Sequence, residues 1–308
     1  MGGSKPRRDV SVASDVFTHF LPGAQFTRFV ERTFEKENPE KSIAWPRRPI
    51  PDWADAFKPK VLLDLGSGLG AQTSATLSRL AHWGCLEKLE RVVLVDCDKE
   101  LHNHGGRGLK LFLESRTGHT LRGLGLRDVN VEAFVKRLSV IRKADGQLDV
   151  SPLAEICPKA DLILVSHVTY YFGDGSGYEL LDGIARHRLL SGGRLWVNIR
   201  DLNCPVYQKR RAVLSALGIT EPQPFDYSEY FLSAVVPRLP NLELLDRATI
   251  DVNVRPGEDR ARAARFLMWR MDVESGEEAM QPLFDAGTQC SAENGPLYSE
   301  TQFILAKV

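Results

Sequence analysis

Short apolar runs alternate with helix-forming segments from residue 60 onward, and this alternation constrains the fold of the 308-residue chain more than any other feature. The runs KVLLDLG, RVVLVD, ADLILVSHV and GRLWVNIR are typical of strands that are buried on both faces. Helical spacing of apolar residues follows in AQTSATLSRLAHW and GYELLDGIARHRLL. Strands that alternate with helices predict an α/β fold with a parallel sheet covered on both sides.

The C-terminal part of the chain departs from this alternation. NLELLDRATIDVNV predicts a strand, residues from about 255 to 299 predict a helical insertion, and TQFILAKV predicts a final strand. Two late strands without an ordinary crossover helix predict an antiparallel edge. LSVIRKAD is predicted as a weaker third strand, which brings the expected sheet to seven strands.

The first 54 residues differ from the rest in pattern. Residues 1–14 predict no regular structure, and a series of phenylalanines at helical spacing then predicts two short amphipathic helices. These helices either pack on the main domain in the ordinary way or form a cap over a pocket. The sequence predicts a tail and helical cap over residues 1–54 and one domain over residues 55–308. The phenylalanines are Phe17, Phe20, Phe26, Phe29 and Phe34.

Charge, cysteine content and hydropathy argue against several classes of protein. Lys plus Arg (40) equals Asp plus Glu (40), so no overall field attracts nucleic acid or a membrane surface. The five cysteines are scattered without a C-x-x-C pair, which argues against a disulfide scaffold or a structural zinc. The polar start lacks a signal core, and no apolar run reaches the roughly 18 residues of a membrane span. We expect a cytoplasmic protein without nucleic-acid or membrane partners.

An acidic residue and a series of glycines follow the first predicted strand, in the segment VLLDLGSGLGAQTSATL. The glycines at positions 66, 68 and 70 permit positive φ and let the backbone approach a ligand. The helix that follows offers N–H groups and the positive end of its dipole. Because ligands of open α/β sheets bind at the carboxyl ends of strands, this segment predicts a nucleotide-type site.

Two kinds of nucleotide fit this turn. Gly66, Gly68 and Ala71 satisfy the dinucleotide fingerprint, and Asp96 after the second strand suits a ribose in either case. Asp64, directly before the glycines, would repel a pyrophosphate but suits a cationic amino-acid tail such as that of S-adenosylmethionine (SAM). The sequence favours SAM and leaves an NAD(P)-dependent oxidoreductase as the alternative.

Four segments carry a resemblance to a known family: DLGSGLG, VVLVD, LILVSHVTYYF and LLSGGRL. In their order and distances they resemble the Rossmann-like SAM-dependent methyltransferases, over roughly residues 55–308. The Phe-bearing N-terminal helices, the Tyr170-Tyr171 pair and the insertion more loosely resemble histamine N-methyltransferase-like proteins. The resemblance implies a mostly parallel seven-stranded sheet with an antiparallel last strand and an N-terminal helical cap. It also implies SAM as cofactor and in-line methyl transfer to a small molecule.

The resemblance implies how the turn would hold the cofactor. The turn would curve around the methionine part and ribose of SAM, with Asp64 near the amino group. Asp96 would hold both ribose hydroxyls. The contributing turn residues would be Gly66, Ser67, Gly68 and Gly70.

The resemblance implies four further positions on the cofactor side. Cys97 would lie against the adenine, and Asp145, at the end of the predicted third strand, would reach the adenine amino group. Asp145 fits a plain Asp-Gly turn equally well. Ser166 and His167, at the end of the predicted fourth strand, would face the methyl group and the acceptor.

His167, Tyr170 and Tyr171 are the catalytic candidates. An imidazole titrates near working pH, so His167 is either a base for the acceptor or a structural residue at a strand end. The two tyrosines either wall the pocket and stack on the acceptor or pack in the core. The favoured acceptor is an amine or imidazole nitrogen, with O-methylation of a small metabolite as the alternative. No metal is expected, since His102 and His104 lack helical spacing and a third ligand.

Overall fold

The computed structural model describes most of the chain from residue 49 onward, so nearly all of the predicted cap over residues 1–54 lies outside it. The described residues are 49–68, 70–96, 109–135, 141–142, 148–149, 154, 156–166, 168, 176–218, 228–239, 241–252, 260, 264, 268, 277–292 and 298–308.

Strands and helices alternate through the first two thirds of this part. The strands are β1 (Val61–Leu65), β2 (Arg91–Asp96), β3 (Asn130–Val135), β4 (Ile141–Arg142), β5 (Leu148–Asp149), β6 (Ala160–Ser166), β7 (Leu189–Arg200), β8 (Leu242–Val252) and β9 (Tyr298–Lys307). The longer helices are α1 (Ala71–His82), α2 (Leu109–Gly123), α3 (Ser176–His187), α4 (Pro205–Ala216) and α5 (Glu277–Ala292). Shorter helical turns cover Asp52–Ala54, Cys85–Lys88 and the consecutive segments Ser228–Tyr230, Phe231–Val235 and Val236–Arg238.

Seven strands form one sheet in the order β3-β2-β1-β6-β7-β9-β8. The neighbours from β3 to β7 are parallel, and β9 is antiparallel to both β7 and β8. The predicted mostly parallel sheet of seven strands with an antiparallel last strand is confirmed. The chain runs outward from β1 to β3 and then returns to β6 on the other side of β1, so the strand order reverses between β1 and β6.

The third strand of the sheet is not the predicted one. Residues 138–145 were expected to form it, but the sheet uses Asn130–Val135, and Ile141–Arg142 pairs with Leu148–Asp149 in a separate two-stranded antiparallel sheet. β3 is an edge strand in which polar residues alternate with apolar ones only from Asn130 to Ala133, and Glu132 forms an ion pair with Arg91 at 2.7 Å. The central strands were predicted from continuous apolar runs, and an edge strand need not have such a run because it is less completely buried.

Side chains of alternate strand residues enter two separate cores. On one side of the sheet, which we call the α1 face, Leu62 packs with Leu77 of α1. On the opposite side, the α3 face, Leu63 packs with Leu181 of α3. Residues of β2, β6, β7 and β9 continue both cores in the same alternation.

α4 and α5 form a third apolar cluster beyond the carboxyl end of β7, where Tyr207 packs with Cys290 and Tyr298. α5 (Glu277–Ala292) lies inside the predicted insertion over residues 255–299. Among the described residues, no helix is both long and apolar enough to span a bilayer.

Candidate functional site

The Gly-rich turn is fastened to the carboxyl end of β2. The backbone N–H groups of Gly66 and Ser67 both donate to the carbonyl of Val95, at 2.8 and 3.2 Å. The N–H of Gly68 donates to Oδ2 of Asp96 at 2.7 Å. Asp96 thus shapes the turn itself, before any ligand is considered.

The glycines of the turn are required by the packing of the protein. Gly66, Gly68 and Gly70 have φ values of +73°, +55° and +80°, which favour glycine. A Cβ on Gly66 would lie 2.3 Å from Val168 Cγ2, and one on Gly70 would lie 3.3 Å from Leu113 Cδ2. The glycine pattern therefore has a structural reason at these positions, and evidence for a ligand has to come from other groups.

Asp64 lies wholly buried at the carboxyl end of β1. Its Oδ2 accepts a hydrogen bond from the Thr73 hydroxyl at 2.5 Å, and its Oδ1 has no partner among the described residues. Burial raises the pKa of Asp64 to about 7; the nearby Asp96 also raises it, while the Thr73 hydrogen bond acts in the opposite direction. The carboxyl group therefore changes its charge close to neutral pH.

Beside the turn, further polar atoms have no hydrogen-bond partner among the described residues, and two of them belong to the turn and to the start of α1. They are Oγ of Ser67, whose side chain is buried, and Nε2 of Gln72 in the first turn of α1. Buried polar atoms in folded proteins are nearly always hydrogen-bonded. Together with Oδ1 of Asp64, these atoms fit a polar ligand at the turn.

Three predicted residues, Asp96, Asp64 and Ser166, stand at or near the carboxyl ends of the adjacent strands β2, β1 and β6. Two positions before each of them, the same strand carries a residue of the α1-face core. Because residues i and i+2 of a strand lie on the same face, all three belong to the α1 face. The structure thus brings these three residues together with the turn. Leu62, Leu94 and Leu164 are the core residues in question.

A row of polar side chains that was not predicted continues from Ser166 along the α1 face. Asn198 in β7 is 3% exposed, and its Nδ2 donates to Oγ of Ser166 at 3.2 Å. Gln302 in β9 is paired with Asn198 in the strand register, and its Oε1 accepts from Nη1 of Arg79 at 2.7 Å. A sequence signal existed for Asn198, which interrupts the apolar run LWVNI of β7, but not for Gln302, which is the last of the polar residues 299–302 in β9.

Asp201, directly after β7, is a second buried carboxylate that was not predicted. Its Oδ2 accepts hydrogen bonds from the hydroxyls of Thr301, Thr249 and Ser228 at 2.5, 3.2 and 3.4 Å. Its Oδ1 accepts from the N–H of Asn203 at 2.8 Å. These bonds tie β7, β8, β9 and the helical turn at Ser228 together, so Asp201 has a structural role.

The remaining predicted positions lie outside the described residues and stay predictions. The prediction that Asp145 ends the third strand of the sheet is wrong, because that strand ends at Val135. The positions concerned are Cys97, Asp145, His167, Tyr170 and Tyr171.

Metal and thiol chemistry find no support among the residues that the structure describes. These residues contain no group of His, Cys, Asp or Glu that could hold a metal ion; His102 and His104 lie outside them. Burial raises the pKa of Cys85 and Cys204 to about 11 and that of Cys157 to about 12. Such thiols are protonated at neutral pH and are not nucleophiles.

No protein-family profile and no curated protein sequence matches the chain. Among solved structures it is similar to an O-methyltransferase family 2 protein from Planctomyces limnophilus in complex with apigenin, at 16% identity and a TM-score of 0.41. That match covers 84% of this chain and 57% of the other, so this chain spans little more than half of that protein.

Two further solved structures are similar over most of both chains. The N-methyltransferase NodS from Bradyrhizobium japonicum, in complex with S-adenosyl-L-homocysteine, has 12% identity, coverage of 93% of this chain and 98% of its own, and a TM-score of 0.40. The [4+2]-cyclase SpnF has 13% identity, coverage of 92% and 81%, and a TM-score of 0.39. Similarity at this level does not transfer an activity. The Rossmann-like α/β fold is defined by the strand order of this chain itself.

Proposed function

We propose that the protein is a SAM-dependent methyltransferase that acts on a small-molecule acceptor. The observation that carries the proposal is the position of the Gly-rich turn. The described glycines of the turn, Gly66, Gly68 and Gly70, follow β1 at the point where the strand order reverses between β1 and β6. Ligands of open α/β sheets bind in the crevice at such a point.

The strand order supports SAM over a dinucleotide. The usual dinucleotide-binding sheet has the order 3-2-1-4-5-6. The resemblance to methyltransferases implies an antiparallel last strand, and here the antiparallel β9 lies between β7 and β8. Asp64 adds a charge argument, because a carboxylate beside the turn attracts a sulfonium or ammonium and repels a pyrophosphate.

The groups around the turn fit the parts of SAM. Oδ1 of Asp64 and Oγ of Ser67 are acceptors for an ammonium group, and both lack partners among the described residues. Asp96, half-buried at the end of β2, suits the ribose hydroxyls while its Oδ2 holds the N–H of Gly68. When bound, SAM would supply a methyl group on a positively charged sulfur.

The residues of the chain would mainly hold the two reactants in line and exclude water. Proximity and orientation of this kind contribute roughly 7–11 kcal/mol to lowering a barrier when alignment is good. An amine acceptor needs only to lose its proton to solvent, whereas an imidazole or phenol gains from a base. We assign that base to His167 and the walls of the acceptor pocket to Tyr170 and Tyr171. The acceptor atom is an amine or imidazole nitrogen, with a metabolite oxygen as the second candidate.

Transfer of radiolabelled methyl groups from SAM tests this function. We expect label to reach imidazoles and primary amines in a panel that also contains phenols and carboxylic acids. Asp96→Ala should abolish the transfer, and Asp182→Asn should not, because Asp182 lies on α3, away from the turn, and pairs with Arg186. Hydride transfer from NADH without methyl transfer would support the oxidoreductase alternative and contradict the proposal.

A further inference from the structure

We propose that a series of hydrogen bonds beneath α1, in which each residue donates to the next directly or through one water molecule, makes the hydroxyl of Ser166 a donor to the carboxylate of the bound cofactor. We call this series the relay. The relay rests on the proposed function, because SAM supplies that carboxylate. In order from its buried end, the relay consists of Arg79, Gln302, Asn198 and Ser166.

The outer link fixes the direction in which Ser166 can donate. Asn198 and Ser166 are register partners in β7 and β6, and Nδ2 of Asn198 donates to Oγ of Ser166 at 3.2 Å. A hydroxyl that accepts from an amide keeps its own hydrogen for another acceptor. Ser166 is the last residue of β6 and is only half-buried, so that hydrogen is available at the carboxyl edge of the sheet.

The inner link starts from a buried positive charge. Nη1 of Arg79 donates to Oε1 of Gln302 at 2.7 Å, and the two residues are 6% and 2% exposed. The guanidinium carbon lies 5.5 Å from the ring centroid of Trp83 and 5.4 Å from that of Trp196. Aromatic faces stabilise a cation at such distances. A hydrogen bond from a buried cation is strong and polarises the amide that accepts it.

The middle link joins two polar atoms that have no partner among the described residues. Nε2 of Gln302 is a donor and Oδ1 of Asn198 is an acceptor. The two residues lie opposite each other in the antiparallel β7–β9 ladder, where Cβ atoms are roughly 5 Å apart. The two atoms are not hydrogen-bonded to each other directly, so the link needs one water molecule, which would accept from Nε2 of Gln302 and donate to Oδ1 of Asn198. With this link, the donor of every hydrogen bond of the relay lies on the Arg79 side and the acceptor on the Ser166 side.

The distribution of charge around the turn indicates a carboxylate as the group that Ser166 meets. Asp64 and Asp96 place their carboxyl groups at β1 and β2, which suits the cationic and hydroxyl parts of SAM. Ser166 and Asn198 lie on the other side of β1 and are neutral. The carboxylate is the one anionic group of SAM. A hydroxyl polarised from a buried arginine is a suitable donor for it.

Binding of S-adenosylhomocysteine and of 5′-methylthioadenosine, which lacks the amino-acid part, tests the relay. Asn198→Asp reverses the outer link, because a carboxylate only accepts and draws the Ser166 hydrogen to itself. We expect calorimetry to show a loss of S-adenosylhomocysteine affinity of roughly 10- to 100-fold and an unchanged affinity for 5′-methylthioadenosine. Ser166→Ala should give the same pattern and serves on its own if Asn198→Asp does not fold.

Two results would overturn the proposal. An unchanged affinity for S-adenosylhomocysteine in folded Asn198→Asp or Ser166→Ala would show that Ser166 donates to no carboxylate. An equal loss for both ligands would show a general disturbance of the site rather than a lost contact to the amino-acid part.

A ligand-free measurement separates the relay from the proposed function. In urea unfolding, Asn198→Ala and Gln302→Ala should be non-additive, with a coupling of at least about twofold in the unfolding equilibrium constant. Additive effects would overturn the relay whatever the ligand. If the coupling is found and the wild-type protein binds neither nucleoside, the relay stands and the carboxylate assignment fails together with the methyltransferase proposal.

Discussion

The hydroxyl of Thr73 donates a hydrogen bond to Oδ2 of Asp64 at 2.5 Å, and both residues are wholly buried. The contact joins the end of β1 to the first turn of α1 across the Gly-rich turn. Because the donor is neutral, it stabilises the carboxyl group without cancelling its charge. The second oxygen of Asp64 has no partner among the described residues, so the same carboxyl group can serve both the fold and a cationic ligand.

Asp64→Asn will change how stability depends on pH. Burial raises the pKa of Asp64 to about 7 from 3.8, so between these values the folded chain keeps a proton that the unfolded chain has lost. This group's contribution is therefore most favourable below about pH 4 and is lost as the pH rises to about 7. The free energy of unfolding of the variant, relative to wild type, should rise across that window and then level off. Urea unfolding across the same window measures this difference.

The matched control for that series is Asp182→Asn on α3, whose carboxylate is partly exposed and pairs with Arg186 at 2.8 Å. Its difference from wild type should show no such rise. An Asp64→Asn difference that stays constant across the window would contradict the assignment of a raised pKa to Asp64.

Thr73→Val will destabilise the protein by about 1–3 kcal/mol, because it leaves a buried carboxyl oxygen without its donor. Thr73→Ser keeps the hydroxyl and is the matched control. Chemical denaturation of both variants at neutral pH measures the difference. Equal stability of the Val and Ser variants would mean that the hydrogen bond to Asp64 contributes nothing.

Gly66→Ala will destabilise the protein for two separable reasons. The positive φ of +73° costs about 1–2 kcal/mol for a residue with a Cβ, and the new methyl group meets Val168 Cγ2. Val168→Ala in the same chain removes the clash but not the backbone cost. The double variant should therefore be more stable than the sum of the single effects predicts. Strict additivity in a double-mutant cycle would contradict the contact.

Lys307→Met will lower stability and leave ligand binding unchanged. Nζ of Lys307 donates to the carbonyls of Ala185, Arg186 and Leu189 at 2.8, 3.1 and 2.7 Å, which caps the C-terminal end of α3. Loss of these bonds should cost about 1–2 kcal/mol. Thermal unfolding measures the first effect, and calorimetry with S-adenosylhomocysteine checks the second. A weaker affinity would show that the cap influences the site.

The central strands and the turn were predictable because their signals are local. Continuous apolar runs mark β1, β2, β6 and β7. The glycines mark the turn after β1, where Val168 leaves no room for a Cβ on residue 66. β3 was misplaced because polar Asn130 and Glu132 break its apolar run, and Glu132 pairs with Arg91 of the neighbouring strand β2. Local pattern does not show which strand ends up at an edge.

The partners of the site residues were not predictable in the same way. Asn198 and Gln302 become neighbours only through the antiparallel register of β7 and β9, which are about a hundred residues apart in the chain. Arg79 joins them from α1. Thr73 and Asp64 are only nine residues apart in the chain, but their hydrogen bond depends on the direction in which α1 leaves the turn. Such contacts follow from tertiary packing rather than from residue spacing.

Calorimetric titration of the full chain with S-adenosylhomocysteine and with NADH tests the central claim most directly. Asp96→Ala removes the proposed ribose ligand, and Asp96→Asn, which keeps an acceptor for the N–H of Gly68, separates that role from the shape of the turn. We predict that the wild type binds S-adenosylhomocysteine and not NADH, that Asp96→Ala loses this binding while it stays folded, and that Asp96→Asn retains only a weakened affinity. Tight binding of NADH without binding of S-adenosylhomocysteine would contradict the account.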